Sequence, residues 1–205
     1  SADRSFLQHV RLSGYQDTLY TEAGRSLFRD CLIEGCVDFI FGAGRAVFEH
    51  CDIRSRLRPG QEFQGFVAAP DTDRSQPFGL VFVNCKLLKE KGIAPHTVAL
   101  GRPWRHTHKF ADGRYGDPDN VGAAAFLYCW MDDHIVAEGW YPMGYNAKGG
   151  GRAMLQPEDA RLYEFHSSGP GAGAPSARRR QLSAEEARAY TAQNVLKGWI
   201  PAATD

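Results

Sequence analysis

The chain has little that would direct it to a membrane, to nucleic acid or to a metal. Its 205 residues contain no apolar run long enough to cross a bilayer. Lys and Arg (24 residues) balance Asp and Glu (24 residues), so no overall basic charge attracts nucleic acid. The three arginines at 178–180 have no aromatic residues between them and are typical of a solvated loop. The five cysteines form no CxxC pair, which argues against a zinc site and against a disulfide-rich scaffold.

Two further signals are missing. The glycine-rich segment 144–162 is not followed by the GK[ST] of a phosphate loop, so no nucleotide cofactor is expected. The first ten residues, SADRSFLQHV, contain no methionine and lack the basic-then-apolar layout of a signal peptide, which predicts a processed or truncated chain.

The composition that remains favours a turn-rich β structure. The chain is 43% hydrophobic and can bury one sizeable core, as expected for a single soluble domain. Its 22 glycines and 11 prolines are spread along the sequence, which fits short strands joined by turns better than a helical bundle.

A repeated apolar pattern indicates how those strands are arranged. Residues Val10, Cys31, Cys51, Cys85 and Cys129 occupy one equivalent position, and the first two intervals are 21 and 20 residues. Units of this length cannot bury their own apolar faces and must stack on their neighbours. The pattern predicts a parallel β-helix, with insertions in the longer intervals, and it occurs in five runs: FLQHVRL (6–12), LFRDCLI (27–33), VFEHCDI (47–53), VFVNCKL (81–87) and FLYCWM (126–131).

The repeat brings two aspartates together. Asp17 and Asp38 each follow the shared position by seven residues, so they occupy one place on consecutive coils. Neighbouring strands lie about 4.8 Å apart, and two carboxylates at that spacing do not both ionise easily. The pair therefore predicts one protonated acid beside one carboxylate, the division that acid–base and nucleophilic catalysis requires. Two exposed turn aspartates are the alternative, which the apolar VDFIFG around Asp38 makes less favourable.

The segments GYQDTLY (14–20), VDFIFG (37–42), LGRPW (100–104) and YEFHSSGPGA (163–172) occur in the order found in the pectin methylesterases. The chain thus resembles this family, whose members are right-handed parallel β-helix enzymes that remove methyl groups from esterified polygalacturonate. The four segments extend over most of the chain, and three motifs in order are far more specific than a lone GRPW.

The resemblance implies a role for each residue of the motifs. Asp38 attacks the ester carbonyl carbon, and Asp17 is the general acid and then the general base. Gln16 donates a hydrogen bond to the oxyanion, and Arg102 orients Asp38 and keeps it ionised. A surface ion pair is the competing explanation for Arg102. No metal or organic cofactor is implied.

The same resemblance implies a substrate surface. Arg114 would meet a galacturonate carboxylate, unless it is a solvated loop arginine, and Trp104 would form a platform for a sugar ring, unless it is core packing. The implied substrate-binding residues are Trp104, Phe41, Val37, Thr107, Arg114 and Met143.

Comparison with the family pattern predicts two differences and one crosslink. Members carry further N-terminal coils and a second oxyanion glutamine before the segment where this chain starts, so residues 1–205 are expected to form one β-helix domain that is the C-terminal part of a longer catalytic domain. Cys36 stands where threonine is typical, as a packed thiol. Cys31 and Cys51, at matching positions on consecutive coils, are the candidate disulfide, because some bacterial relatives bridge this position.

The tail, residues 168–205, is expected to contain a linker and one helix. GPGAGAPSARRRQ (169–181) has the composition of an irregular segment. LSAEEARAYTAQNVLKGW (182–199) predicts a helix that covers the solenoid, with a capping box formed by Ser183 and Glu186 and with Gly198 at its end.

The resemblance therefore implies a bacterial pectin methylesterase that acts on methyl-esterified pectin, either as a monomer or in association with a missing N-terminal segment, and that is secreted or held in the cell envelope. Two alternatives stay open. A catalytically silent β-helix could bind carbohydrate or serve the envelope, and a pectate lyase could use the same fold, since fold does not fix function. A lyase would need calcium-binding carboxylates, and the acidic residues in GDPDN (116–120) and MDDH (131–134) are scattered.

Overall fold

A computed structural model describes residues 2–202 of the chain. Three parallel sheets wind into a β-helix, and two antiparallel hairpins project from it. Numbered along the chain, the six-stranded sheet contains β1 (Ser5–Gln8), β4 (Arg25–Arg29), β7 (Arg45–Glu49), β10 (Leu80–Val83), β15 (Ala123–Leu127) and β19 (Arg161–Phe165).

The second sheet has five strands and the third has four. The five-stranded sheet contains β2 (Arg11–Ser13), β5 (Leu32–Gly35), β8 (Asp52–Ser55), β11 (Lys86–Lys89) and β16 (Trp130–Met131). The four-stranded sheet contains β3 (Leu19–Tyr20), β6 (Val37–Gly42), β9 (Gly65–Pro70) and β12 (Val98–Gly101). The hairpins are β13 (Thr107–Phe110) with β14 (Gly113–Gly116), and β17 (Met143–Asn146) with β18 (Arg152–Leu155).

The strand register confirms the repeat. Leu7, Phe28, Phe48, Phe82 and Phe126 are aligned on successive strands of the six-stranded sheet. The four phenylalanine rings stack with centroids 4.3–4.8 Å apart at the centre of the main core. Each coil therefore covers the apolar face of its neighbour, as a short repeat requires.

Each of the five apolar runs is two strands rather than one. A residue with positive φ separates the strand of the six-stranded sheet from the strand of the five-stranded sheet on the same coil. This corner conformation turns the chain from one sheet into the next and directs one side chain outward. The five corner residues are His9, Asp30, His50, Asn84 and Tyr128, with φ between 52° and 55°, and His166, with φ of 51°, follows β19 in the same way.

The strand β19 belongs to a coil that the repeat did not predict. In its register with β15, Glu164 takes the place of Phe126, so the apolar pattern is broken at its most regular position. Glu164 is buried there against the guanidinium of Arg179, which donates to both carboxylate oxygens at 2.6 and 3.1 Å. A buried ion pair thus ends the stack of phenylalanines.

The expectation of a disulfide between Cys31 and Cys51 is wrong in this structure, because all five cysteines are free and buried. Four of the thiols are aligned as predicted and contact main-chain carbonyl oxygens: Cys31, Cys51, Cys85 and Cys129. The Cys51 thiol contacts the carbonyl oxygens of Phe28 at 3.6 Å and Glu49 at 3.4 Å. The hydrogen bond with the Cys85 thiol, followed by burial, raises the pKa of Cys51, so the group behaves as a packed thiol.

The C-terminal tail packs on the solenoid as expected, but its single helix is replaced by two short ones, α1 (Ala184–Ala187) and α2 (Ala192–Val195). The capping box of Ser183 and Glu186 is present. Thr191 starts α2, because its hydroxyl accepts the main-chain N–H of Asn194 and competes with a continuous helix. Buried residues of the tail, including Val195, form a second apolar cluster with the outer face of the six-stranded sheet.

No helix in the part of the chain that the structure describes is long and apolar enough to span a membrane.

Candidate active site

Asp17 and Asp38 lie at one corner position on consecutive coils, as the interval predicts. The register pairs Leu19 with Ile40 and Tyr20 with Phe41, and the main-chain N–H of Asp17 donates to the carbonyl of Val37 at 3.1 Å. Both aspartates have positive φ, 53° and 49°. This conformation turns both carboxylates out of the strand direction toward the same side of the four-stranded sheet.

Two glycines allow the neighbouring strands to approach this corner. The pairing of β6 with β9 contains a bulge between Val37 and Ile40, on either side of Asp38. A Cβ atom at Gly65 would lie 1.8 Å from the carbonyl oxygen of Cys36, so no other residue fits opposite the bulge. Gly101, just before Arg102, is equally restricted, because a Cβ there would lie 2.2 Å from the carbonyl oxygen of Ala68.

Arg102 holds the Asp38 carboxylate from the next coil but one. Its Nε donates to Oδ1 at 2.9 Å and its Nη2 donates to Oδ2 at 2.6 Å, a bidentate contact. The Asp38 side chain is 8% exposed, and that of Arg102 is 23% exposed. The guanidinium also lies over the Phe66 ring at 4.0 Å, which fixes its plane. Asp38 is thus an oriented carboxylate. It directly follows Val37, which together with Gln16 lines an open cavity that we call the cleft.

Asp17 has a different environment, and its pKa is raised above the ordinary value. Partial loss of solvation is the largest cause, and the negative charge of Asp38 adds to it. The side chain of Gln16, which hydrogen-bonds the Asp17 carboxylate, and the charge of Arg102 act in the opposite direction. One carboxylate is therefore paired with arginine, while the pKa of its neighbour is raised.

An aromatic surface lies beside the aspartates. Tyr20 and Phe41 stack at 4.5 Å on consecutive coils, and the edge of Phe41 meets Trp104 at 5.8 Å. Trp104 is half-buried and belongs to neither apolar core cluster, so it is not enclosed in the core. Rings at this position offer an apolar face of the kind on which a sugar ring packs.

The other predicted substrate residues are divided between two places. Val37 lies in the cleft wall next to Gln16, where an open cavity of about 390 Å³ is also lined by Cys36 and Arg58. Thr107 and Arg114 lie on the first hairpin, and Met143 lies on the second. Thr107 accepts a hydrogen bond from the Asn146 side chain at 3.0 Å, which joins the hairpins, while Arg114 is exposed.

Sequence reasoning missed three residues of this region. Tyr20 is the last residue of the GYQDTLY motif and lies 21 positions before Phe41, the same interval as between Asp17 and Asp38. That interval would have placed Tyr20 beside Phe41 on the neighbouring coil. Asp71 is 1% exposed and pairs with His106, whose imidazole stacks on Trp104 at 5.2 Å. Asp71 and His106 are 35 positions apart in the sequence, so no local pattern indicated the pair.

Among residues 2–202 no group of three or more His, Cys, Asp or Glu side chains is placed to hold a metal ion.

Comparison with known proteins gives a family match over nearly the whole chain. The sequence model of the Pectinesterase family matches residues 1–199. Pectinesterase A of Dickeya chrysanthemi is 45% identical over an alignment of 205 positions, which covers 98% of this chain and 55% of that protein. The chain therefore spans about half the length of this relative.

Two solved structures extend the comparison to the fold. The pectin methylesterase from Yersinia enterocolitica is 46% identical, with a TM-score of 0.93 over 97% of this chain and 62% of that one. A mutant pectin methylesterase in complex with a hexasaccharide is 42% identical, with a TM-score of 0.94 over 98% of this chain and 59% of that one. The family match, the identity and the shared fold show that the chain belongs to the pectinesterase family.

Proposed function

We propose that this chain carries the catalytic residues of a pectin methylesterase, which hydrolyses methyl esters of polygalacturonate and releases methanol. The observation that carries the proposal is the pair of aspartates in register on consecutive coils, one bound by Arg102 and the other with a raised pKa. Such a pair supplies a nucleophile and an acid at the same pH.

In the first step a carboxylate oxygen of Asp38 attacks the ester carbonyl carbon. The tetrahedral intermediate collapses with cleavage of the bond to the methoxy oxygen, which takes the proton of Asp17 and leaves as methanol. The substrate acyl group is then joined to Asp38 as an anhydride, and Asp17 is ionised. The raised pKa of Asp17 favours the protonated form that this step requires.

In the second step Asp17 accepts a proton from water as the water oxygen attacks the substrate carbonyl of the anhydride. The bond to Asp38 breaks, the free carboxylate is restored, and Asp17 is protonated again. The galacturonic acid product releases its proton to solvent. Each cycle consumes one water and yields one methanol and one carboxylic acid, and no cofactor takes part.

Gln16 is proposed to donate to the oxyanion that forms in both steps. Its side chain already hydrogen-bonds the Asp17 carboxylate, so it lies within reach of an oxygen beside the dyad. A donor of this kind acts where negative charge develops, and its loss typically costs about 3 kcal/mol of barrier stabilisation.

The substrate is proposed to lie along the four-stranded sheet. Trp104 and Phe41 would pack against sugar rings, and Val37 would contact the sugar at the dyad. Thr107, Met143 and the exposed Arg114 would bind further along the chain of sugars, with Arg114 opposite a free carboxylate. The assignment of these roles is supported by their positions along the cleft and on the adjoining hairpins.

The domain, assembly and location are proposed on the same basis. We infer one catalytic β-helix unit that acts as a monomer, since one chain supplies both aspartates and Arg102. Esterified pectin is a polymer outside the cell, so the protein is proposed to be exported by a bacterium and to work at or beyond its envelope.

The test is methanol release from highly methylated pectin by the purified protein, with Asp38→Asn as its matched inactive variant. Release by the wild type and none by the variant would support the esterase. Binding of pectin without release of methanol, and unchanged by Asp38→Ala, would instead favour the silent β-helix. Formation of unsaturated sugars that requires calcium would indicate a lyase.

A further inference from the structure

The carboxylate of Asp71 is buried where three segments meet. It directly follows β9, and its main-chain N–H donates to the carbonyl of Gly42 at 2.9 Å, on the strand that carries Asp38. Its Oδ1 accepts the main-chain N–H of His106 at 3.1 Å, and its Oδ2 contacts the imidazole Nδ1 at 3.2 Å. The side chain of Asn120 also donates to it.

Burial of this carboxylate is unfavourable unless its hydrogen bonds are made. Loss of solvation raises the pKa of Asp71, while the contacts with His106 and Asn120 lower it. Because Asp71 is only 1% exposed, no water can replace a lost donor without local opening. The carboxylate therefore fixes the positions of the two segments that donate hydrogen bonds to it, which carry His106 and Asn120.

One of those segments carries the aromatic surface. The His106 imidazole lies nearly parallel to the Trp104 ring, with centroids 5.2 Å apart and an interplanar angle of 12°. The main-chain N–H of Trp104 donates to the carbonyl of Pro70 at 2.9 Å, the residue just before Asp71. Trp104 is thus held through its backbone by Pro70 and through its ring by an imidazole that Asp71 orients.

The same carboxylate holds both ends of the first hairpin. Residue Thr107 begins the hairpin directly after His106, and Asn120 lies just beyond its second strand. The main-chain N–H of Asp117 donates to the carbonyl of His106 at 3.0 Å, and Nε of Arg105 donates to the carbonyl of Asn120 at 3.0 Å. The base of the hairpin is therefore closed around Asp71.

We propose that Asp71 and His106 are positioning residues that hold the Trp104 ring and the base of the first hairpin in the geometry that binds a polygalacturonate chain. The inference deepens the proposed function and rests on it, because it takes the Trp104 ring as a sugar-binding surface. Neither residue touches the reacting ester, so their effect falls on binding of the polymer rather than on the chemical step.

The first test observes the ring contact without any substrate. The chain has four tryptophans, and their indole N–H signals in a ¹H–¹⁵N NMR spectrum can be assigned by single Trp→Phe changes. His106→Ala should shift the Trp104 signal because the stacked imidazole is removed. His166→Ala is the matched control, since this imidazole stacks on Tyr128 with centroids 5.9 Å apart at a distant corner and should leave the Trp104 signal unchanged.

Two changes at Asp71 separate orientation from simple packing. Asp71→Asn keeps an oxygen that can accept the His106 main-chain N–H, so it should shift the Trp104 signal less than Asp71→Ala does. If Asp71→Ala does not fold, His106→Ala and Asp71→Asn still decide the question.

The second test measures binding and turnover separately. Titration with a galacturonate hexamer, followed at the Trp104 signal, should give a dissociation constant about five- to tenfold higher for His106→Ala, and KM on methylated pectin should rise by a similar factor with kcat within about twofold. His166→Ala should match the wild type in both measurements.

The proposal would be overturned by an unmoved Trp104 signal in His106→Ala, by unchanged affinity for the hexamer, or by a fall in kcat with KM unaffected. A wild type that binds the hexamer but releases no methanol would contradict the proposed esterase activity, while the positioning role would still be decided by the NMR shifts and the hexamer affinities. A wild type that neither binds the hexamer nor releases methanol would overturn both the proposed esterase activity and the positioning role.

Discussion

Two arginine–carboxylate pairs in this molecule have nearly the same geometry and opposite surroundings. Arg102 holds Asp38 with contacts of 2.9 and 2.6 Å, and Arg179 holds Glu164 with contacts of 2.6 and 3.1 Å. Arg179 is 0% exposed and also donates to the carbonyls of Val136, Ala137 and Gly171. Arg102 is 23% exposed, and its pair has Asp17 as a neighbour with a raised pKa.

The difference separates a structural ion pair from the pair that we propose to be reactive. Every polar group of the Arg179 pair is directed at a protein partner, so the pair joins the last described coil to the tail and leaves no atom for a ligand. Arg102 and Asp38 make the same two parallel hydrogen bonds, but Arg102 is partly exposed to solvent and Asp38 lies beside a second carboxylate, that of Asp17. Bidentate geometry alone therefore does not indicate a catalytic site. The proposed catalytic role of Asp38 rests on the partial exposure of its ion pair and on its like-charged neighbour Asp17.

The largest expected effect is at the open pair. Asp38→Asn should reduce methanol release by about 10⁴-fold, or about 5 kcal/mol of barrier, because a neutral amide cannot act as the nucleophile. The measurement is kcat/KM on methylated pectin. The thermal unfolding midpoint should move by only a few degrees, since the guanidinium of Arg102 reaches solvent. Activity that survives the change would remove Asp38 from the proposed mechanism.

The second effect is on stability at the closed pair. Arg179→Met should lower the free energy of unfolding by about 4 kcal/mol, because it leaves the Glu164 carboxylate buried without a partner. Denaturant titration measures this loss. Glu164→Leu combined with Arg179→Met should recover most of it, and kcat of the folded variants should stay near the wild-type value. A double variant no more stable than Arg179→Met would show that the carbonyl contacts of Arg179 matter more than the charge.

A conservative change at Arg102 is expected to have an intermediate effect. Lysine keeps the charge but cannot reproduce the two parallel hydrogen bonds, so Arg102→Lys should lower kcat/KM by about 30-fold, or about 2 kcal/mol. The same change at Arg74, whose pair with Asp119 is well exposed, serves as the control and should alter nothing measurable. Equal losses in the two variants would mean that the fork at Arg102 has no special role.

The smallest effect is a difference in pH dependence between two aspartates. The pKa of Asp17 is raised from 3.8 in the folded chain, so the native state keeps its proton longer than the unfolded state. Relative to Asp17→Asn, the wild type should lose stability as pH rises from the unfolded value through the folded one. Denaturant titrations of both proteins across this range measure the difference.

Asp73 supplies the contrasting control. The hydroxyl and main-chain N–H of Ser75 lower its pKa, so stability relative to Asp73→Asn should instead be lost as pH falls below the ordinary value of 3.8. The same sign of pH dependence at both aspartates would contradict the assigned environment of Asp17.

The sequence was sufficient to predict the β-helix and the adjacency of Asp17 and Asp38, because both follow from an interval of about one coil. It also identified Arg102 through the LGRPW motif, and the structure brings that residue to Asp38. The roles given to Gln16 and to the sugar-binding residues stay predictions.

The failures have a common physical origin in contacts that no local pattern records. The coil that contains β19 was missed because Glu164 occupies an apolar position and is compensated by Arg179, 15 residues away. The disulfide was wrong because aligned thiols can remain free, with hydrogen bonds to main-chain carbonyls and to one another. The composition of residues 182–199 favoured one continuous helix. Two helices form instead, because Thr191 caps the start of the second one.

The corners with positive φ have a consequence for how the surface of this β-helix can evolve. At the five corners from His9 to Tyr128 and at His166, an outward side chain recurs once per coil, and its identity is free of the core packing that constrains the strands. A substitution at a corner can therefore be tried without rebuilding the fold, and a new pair of functional groups one strand spacing apart needs only two changes. The winding of the chain thus provides a row of positions for new chemistry, and Asp17 and Asp38, which share the same positive φ one coil apart, occupy a second such row.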